Sequence, residues 1–185
     1  MKQAFFFLSL SVALLCGTFG SADESKGKYE FKIETIKPQP AMAIRFKVAP
    51  DPEKISAKFA EAFTALFTHV IANGAQPAGQ PFGRYHAVKD NELDIEAGIP
   101  VAKAIDGKGD IKAIELPGGK VITTVHTGPY EKLAGAHEAL QKWVEQKSYK
   151  PTGAVWEVYV TDPGKEKDPN KWQTKLFLPI AEPAK

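Results

Sequence analysis

The sequence predicts an α+β domain, in which two similar strand–helix–strand–strand units form one antiparallel sheet with a central groove and two flanking helices. Short segments with the alternating apolar pattern of strands outnumber the helical patterns, of which each half holds one. Strands and helices do not alternate regularly, as the connections of a parallel sheet would require. Prolines recur beside the strands at matching places 79 residues apart, Pro38 with Pro117 and Pro50 with Pro129. These observations indicate a duplicated unit.

The first half of the repeat covers residues 30–102. Its predicted strands are residues 32–35, 41–48, 82–88 and 93–101. The helix between the second and third strands begins at Asp51-Pro52, because aspartate accepts hydrogen bonds from the first free amides of a helix and proline fits its first turn. Asn73-Gly74 ends it, since both residues tolerate a left-handed conformation. The helix also carries an aromatic stripe that is predicted to pack in the core, made up of Phe59, Phe63 and Phe67.

The second half covers residues 110–181 and repeats this order. Its predicted strands are residues 110–116, 120–127, 154–160 and 173–180. A helix opens at Gly128-Pro129-Tyr130 and ends at Lys150-Pro151, where proline cannot continue it. Equivalent positions in the middle of the halves lie 74 residues apart instead of 79, so the two units differ in loop lengths.

One acidic residue, Glu157, lies near the middle of the strand at residues 154–160. Since strand side chains alternate between two faces, Val155, Glu157 and Tyr159 share one face. The other face is wholly apolar and is predicted to meet the core. The first face therefore presents a carboxylate beside an aromatic ring, as a site for a cationic or polarised apolar ligand requires. The alternative is a solvated face on which Glu157 pairs with a nearby Lys or Arg.

The repeat gives Glu157 a counterpart in the first half. Gly83 occupies there the place that Glu157 occupies in the second half, and Tyr85 likewise corresponds to Tyr159. If the two strands meet near a pseudo-twofold axis, they form a cleft with one acid, two phenols and room for a flat ligand. A half-buried carboxylate costs several kcal/mol unless it is paired, so it either titrates high or attracts a cation. Further candidate walls of this cleft are Tyr130, Trp172 and Phe177.

Two basic residues would instead neutralise Glu157 permanently. Arg45 lies opposite the apolar face of the second strand, on what would be the cleft face. Lys175 is in the last strand, next to the strand of Glu157 if the two form a hairpin. Either pairing would favour a structural or interaction protein whose groove is filled by its own side chains.

Residues 1–22 are predicted to be a secretory signal peptide, followed by a linker at residues 23–29. Lys2 supplies the positive start, a nearly uninterrupted apolar run follows, and small residues precede a cleavage site after Ala22. The alternatives are a retained anchor and lipidation at Cys16, which is preceded by a large residue where a small one is preferred. Cys16 is the only cysteine, so cleavage would give an exported chain without thiol chemistry, disulfides or an integral membrane span.

The charge balance argues against several classes of partner. The chain has 24 Lys and Arg against 22 Asp and Glu, a net charge of +2 that signal cleavage would lower by one. Such a balance argues against nucleic acid and against an anionic membrane surface. No two of the four histidines are one helical turn apart, which argues against a metal site, and no cofactor is expected.

Several motifs resemble the GyrI-like (gyrase-inhibitory-protein-like) effector-binding domain, the ligand-binding module of many bacterial multidrug-responsive regulators. They are His126-Thr127-Gly128-Pro129-Tyr130, the following helix with Trp143, and the strand Trp156-Glu157-Val158-Tyr159. The resemblance covers residues 30–181 and leaves a tail at 182–185. It implies a groove between the halves in which a glutamate, here Glu157, meets cationic lipophilic ligands. A signal peptide in place of a helix-turn-helix makes a direct role in transcription unexpected.

We expect an exported, periplasmic or secreted protein that holds a small hydrophobic, cationic molecule over Glu157 and acts as a binding domain rather than an enzyme. Some stand-alone members of the family hydrolyse reactive toxins, which implies as an alternative a hydrolase with Glu157 as general acid or base. The related SOUL proteins bind haem, which implies a third candidate, a porphyrin bound through His126 or His137. The identity of the ligand and the oligomeric state are left open.

Overall fold

The computed structural model describes residues 29–181, which fold into eight strands and two helices. The strands are β1 (Lys32–Ile36), β2 (Gln39–Val48), β3 (Phe82–Lys89), β4 (Glu92–Pro100), β5 (Ile111–Leu116), β6 (Gly119–Thr127), β7 (Val155–Tyr159) and β8 (Gln173–Pro179). The helices are α1 (Pro52–Ala72) and α2 (Leu133–Gln146), and short 3-10 turns lie at Tyr130–Lys132 and Pro169–Lys171. The predicted α+β class is confirmed. The predicted signal peptide, Cys16, most of the linker and the tail lie outside the described residues.

The start and end of α1 follow the predicted chemistry. The Asp51 carboxylate accepts hydrogen bonds from the backbone amides of Glu53 and Lys54, at 3.0 and 3.2 Å. Pro52 occupies the first turn, where its missing amide hydrogen costs nothing. Gly74 has a φ of +68°, the left-handed conformation in which the chain leaves a helix.

The two halves exchange their first strands. The strand order is β1-β6-β8-β7-β3-β4-β2-β5, with every neighbouring pair antiparallel. β1 therefore pairs with β6 of the second half, and β5 pairs with β2 of the first half. The sequence repeat predicted two similar units but not this exchange, which ties the halves together at both edges of the sheet.

Two short connections force the sheet to curl. β1 and β2 are first and seventh in the strand order, yet only Lys37 and Pro38 join them. In a flat sheet six strand spacings would separate them by about 29 Å, whereas this connection spans at most about 10 Å. Pro117 and Gly118 join β5 to β6 across the same gap, and a Cβ on Gly118 would lie 2.5 Å from Cδ of Pro38. The two edges of the sheet therefore approach each other at this end.

The curl gives the sheet an inner, concave face with a core of its own. Ile36 of β1 and Leu116 of β5 come from opposite edges but pack in one cluster with Trp156, which is 2% exposed. The predicted contact between the apolar face of β7 and a core is thus observed. Phe177 stacks on Trp156 with ring centroids 5.2 Å apart. Both aromatic residues belong to this inner face, because they are cross-strand partners.

The outer face of the sheet is covered by the two helices. α1 buries Leu66 and Val70 against β2 and β4, and α2 buries Leu140 and Val144 against β6 and β8. By length and composition alone α1 would also be able to cross a membrane. In this structure its apolar side lies on the sheet, as expected for a core helix.

The Gly98→Ala substitution should lower the free energy of unfolding by about 1–3 kcal/mol, the usual cost of overpacking. The ring of Phe82 lies over Gly98, where a Cβ would overlap it. Urea unfolding measures the effect. Gly135→Ala is the matched control, because it lies exposed on α2, where a Cβ would make only an ordinary contact, 3.8 Å from the Tyr29 hydroxyl. There the same change should raise the free energy of unfolding by about 0.5–1 kcal/mol, and equal effects at both sites would contradict this packing.

Candidate functional site

Glu157 lies on the pseudo-twofold axis of the molecule. β3 and β7 meet at the centre of the sheet, and Gly83 is the cross-strand partner of Glu157. The two residues are 74 positions apart, which is also the offset of the repeat in this region. A pair of equivalent residues that face each other must lie on the axis that relates the halves. The two positions that the repeat predicts to be equivalent are therefore also direct neighbours on adjacent strands.

The Glu157 carboxylate is buried and fully hydrogen-bonded. The residue is 2% exposed. Its Oε1 lies 2.6 Å from Nε2 of His137, and its Oε2 accepts hydrogen bonds from the hydroxyls of Tyr85 and Tyr159, both at 3.0 Å. Three partners offset part of the cost of taking a carboxylate out of water. The two tyrosines predicted from the repeat are thus brought together with the acid.

His137 was missed as a partner of Glu157, since the sequence suggested it only as a haem ligand. It reaches the carboxylate from α2, four residues after Leu133 and three before Leu140, which are both buried. A histidine at this spacing lies on the apolar stripe that faces the sheet. The position of His137 in the sequence therefore indicates that its side chain faces the sheet, where a buried polar group can pair with it.

Aromatic rings surround the hydroxyl of Tyr159. The Tyr159 ring packs edge-on against Phe59 and Phe63 of α1, with ring centroids 5.8 and 6.2 Å apart. It packs in the same way against Tyr130, at 5.5 Å. Trp172 lies 4.8 Å beyond Tyr130. The structure thus brings Tyr130 into contact with Tyr159 and Trp172 into contact with Tyr130, and their role as walls for a ligand stays a prediction. Phe59 and Phe63, interpreted as core residues alone, also contact Tyr159.

Phe177 is not a wall of this site. It is the cross-strand partner of Trp156, and neighbouring residues of a strand point to opposite faces. Phe177 therefore lies on the inner face of the sheet, while Glu157 points to the outer face beneath the helices. The prediction failed because both faces of β7 are covered, so the apolar pattern did not distinguish them.

The space over Gly83 is filled. A Cβ on Gly83 would lie 2.6 Å from the Tyr159 hydroxyl and 2.7 Å from Cζ of Phe59. The sequence predicted an empty place for a flat ligand here. The protein's own rings occupy it in this structure, so a ligand that reaches Glu157 from this side has to displace Phe59 or Tyr159.

Neither predicted basic partner reaches Glu157. The Arg45 guanidinium donates two hydrogen bonds to Asp94, both 2.7 Å long, and Lys175 donates to Glu34 at 2.9 and 3.1 Å. Cross-strand pairing places Arg45 beside Glu96 on the inner face, so the prediction that it lies on the cleft face is wrong. Glu157 therefore has no permanently charged partner among its hydrogen bonds.

The histidines considered for haem are both engaged with protein atoms. His126 is fully buried, with Nδ1 3.1 Å from the Tyr29 hydroxyl and Nε2 3.3 Å from the carbonyl oxygen of Pro129. His137 contacts Glu157, as described above. Within residues 29–181, no group of three or more His, Cys, Asp or Glu side chains is arranged to hold a metal ion.

The two phenols at Glu157 are held in their neutral form. Burial, followed by the negative charge of Glu157, raises the pKa of Tyr85 well above its ordinary value. Burial likewise raises the pKa of Tyr159, with Tyr85 and Glu157 adding to the effect. Burial and the charge of Glu157 also raise the pKa of Tyr130. A neutral phenol can donate a hydrogen bond to the carboxylate, which an ionised one cannot.

Stability should fall at alkaline pH because these phenols resist ionisation in the folded state. A raised pKa in the folded protein gives stability that is complete below about pH 10 and is lost as the pH rises through the folded-state values. Urea unfolding from about pH 8 to about pH 11 tests this over the range in which free tyrosine ionises. In Tyr85→Phe, which lacks one of the phenols, the decline should be shallower. A free energy of unfolding that stays constant over this range would contradict the prediction.

The fold and the buried carboxylate with its aromatic surroundings define a small-molecule-binding domain. The chain belongs to the GyrI-like small molecule binding domain family, whose sequence pattern matches residues 29–181. This confirms the resemblance that the sequence showed over residues 30–181. No curated protein sequence is significantly similar to the chain.

Solved structures share the fold at low sequence identity. The cryo-EM structure of the EcmrR–DNA complex has a TM-score of 0.75 and 22% identity, over 86% of this chain and 60% of that chain. This chain thus spans about 60% of the length of that protein. The crystal structure of the EcmrR C-terminal domain has a TM-score of 0.72 and 24% sequence identity, over 83% of this chain and 98% of that chain. The structure of SAV2435 bound to tetraphenylphosphonium has a TM-score of 0.57 and 11% sequence identity. The match covers 82% of this chain and 94% of that chain.

Proposed function

We propose that this protein is exported and holds a lipophilic cation over Glu157. The observation that carries the proposal is the carboxylate itself, which is 2% exposed and hydrogen-bonded by two phenols and an imidazole but by no lysine or arginine. Two of these three partners are neutral donors. A buried carboxylate without a permanently charged partner would gain from a bound cation, because an unpaired buried charge is costly.

The surrounding rings favour a cation that is also aromatic or apolar. Tyr159, Tyr130 and Trp172 form a continuous row of contacting rings that leads away from the carboxylate. Ring faces attract cations by about 0.5–2 kcal/mol each, depending on exposure. Phe63 adds apolar surface from α1. A small hydrated ion would gain little from such walls, whereas a bulky organic cation would bury apolar area against them.

Binding of tetraphenylphosphonium to the full chain, compared with the uncharged triphenylphosphine oxide, tests the proposed class of ligand. SAV2435 has been seen with this cation, whose charge does not depend on pH. At 100 times its dissociation constant the cation should add about 2.7 kcal/mol to the free energy of unfolding, and it should change the fluorescence of Trp172. Equal stabilisation by the uncharged compound would overturn the requirement for a cation. No effect of either compound on a folded protein would count against the site.

Export is inferred from the composition of residues 1–22, with a positive residue, an apolar run and small residues at the end. Mass spectrometry of the protein recovered from a periplasmic fraction should find a chain that begins at Asp23. An intact chain in the cytoplasmic fraction would contradict export without bearing on the site at Glu157.

A hydrolase is the second candidate function, favoured by the contact between His137 and Glu157. An imidazole 2.6 Å from a buried carboxylate is oriented as a general base that could activate water. The phenols of Tyr85 and Tyr159 each have one proton, so they would have to turn away from Glu157 to donate to a developing oxyanion. Turnover of strained, lipophilic electrophiles by the wild-type protein and its loss in His137→Gln would establish this activity. Tight binding with no turnover would leave the protein a binding domain.

A further inference from the structure

We propose that His137 is the built-in counter-ion of Glu157, and that a ligand cation binds by taking the place of its proton. This inference rests on the proposed function and identifies the residue that determines how the site selects its ligand. In the ligand-free state the imidazolium balances the buried carboxylate. In the complex the ligand supplies the positive charge and the imidazole is neutral.

The geometry supports an ionic contact. Nε2 of His137 lies 2.6 Å from Oε1 of Glu157, shorter than the two bonds from the tyrosines to Oε2. Bonds between two charged groups are shorter and stronger than those between neutral groups. The carboxylate is 2% exposed at its side chain, whereas the His137 side chain is 29% exposed. The imidazole can therefore exchange its proton with solvent while the carboxylate stays buried.

Among the three hydrogen-bond partners of Glu157, His137 is the one whose side chain can carry a positive charge. β3 contributes Tyr85, whose ring packs edge-on to the imidazole at 5.7 Å, and β7 contributes Tyr159 beside Glu157. Tyr130 lies in the turn before α2, and the negative charge of Glu157 contributes to raising its pKa. All three phenols are held neutral, as described above. The contacts from α1 come from apolar rings, Phe59 and Phe63. The next acidic side chain that acts on Tyr130 is Asp162, which would not supply positive charge.

The exchange balances in charge and in protons. The imidazolium at His137 gives its proton to solvent, the carboxylate stays ionised, and the ligand cation takes up a position over the same oxygens. One proton should therefore leave for each cation bound wherever the imidazole starts charged. Histidine is the side chain that ordinarily changes charge between about pH 5 and pH 8. By linkage, the dissociation constant should then rise about tenfold for each unit by which the pH falls through the charged range.

Titration calorimetry with tetraphenylphosphonium and the full chain measures this proton directly. Runs near pH 6, where imidazole is ordinarily charged, in buffers with different ionisation enthalpies should report release of about one proton per cation bound. The His137→Gln variant keeps a hydrogen-bonding side chain but has no charge to give up. It should bind without proton release, with a dissociation constant that no longer rises between about pH 8 and pH 6. His86→Gln is the matched control, because His86 lies 3.1 Å from Glu96 in another histidine–glutamate pair.

The outcomes separate this inference from the proposed function. Cation binding with no proton release in the wild-type protein, or with the same pH dependence in His137→Gln, would overturn the exchange and leave the proposed function intact. Absence of binding to every folded variant would overturn both. Loss of proton release in His86→Gln as well would also overturn the assignment to His137.

Discussion

The Glu157→Gln variant should bind tetraphenylphosphonium about 100-fold more weakly than the wild-type protein, a loss of roughly 3 kcal/mol. The substitution removes the negative charge but keeps the size of the side chain and one carbonyl oxygen that can still accept from Tyr85 or Tyr159. The aromatic walls remain, so binding of triphenylphosphine oxide should change little. Fluorescence titration of both proteins with both compounds measures the difference.

The stability of the same variant shows whether the carboxylate is kept for binding or for folding. Replacing charge-assisted hydrogen bonds by neutral ones should cost about 1–3 kcal/mol of unfolding free energy, measured in urea. Glu96→Gln is the matched control, since Glu96 is also buried but bonds to Arg84 on the other face of the sheet. It should leave cation binding unchanged. Wild-type affinity in Glu157→Gln would remove the basis of the proposed site.

The Phe59→Ala variant should bind the cation more tightly while the protein becomes less stable. Phe59 and Tyr159 fill the space over Gly83, so the wild-type protein must move a ring before a ligand can reach the carboxylate from that side. Removal of the ring opens that space and removes this cost. Truncation of a core phenylalanine to alanine lowers the free energy of unfolding by about 3–5 kcal/mol. Phe59 is only partly buried, so its truncation should cost an amount at or below the lower end of this range.

Two measurements separate the opening of the site from general loosening. Tetraphenylphosphonium titration should give a dissociation constant several-fold lower in Phe59→Ala, and urea unfolding should show the loss of stability. Phe67→Ala is the matched control, because Phe67 packs partly buried against the same apolar cluster of α1. It should lose stability without a gain in affinity. An equal gain in both variants would mean that flexibility of the helix, and not the space over Gly83, controls entry.

Local chemistry made much of the fold predictable. The Asp51 cap and the left-handed Gly74 depend on residues within a few positions of each other, and both are found as predicted. The repeat added one long-range fact, because equivalent positions on two central antiparallel strands must meet on the axis. This is why the proximity of Gly83, Glu157 and the two tyrosines could be inferred without a structure.

The errors at the site share one cause. Alternation shows which residues of a strand lie on the same face, but not which face the helices cover when both faces are apolar. Arg45 and Phe177 were therefore assigned to the site, although cross-strand pairing places both on the inner face. For the same reason the stripe on α1 gave no sign that Phe59 would fill the space over Gly83.

The sequence by itself determined the secondary structure, the duplicated unit, the family and the presence of one acid among aromatic residues at the centre of the molecule. The tertiary structure alone decided the exchange of first strands, the curl of the sheet, and the contacts of Glu157 with His137 and of Gly83 with Phe59. Patterns of a few residues record local conformation and burial. Contacts between distant elements depend on how whole strands pair and which face each helix covers, and a single sequence does not encode that choice in any local pattern.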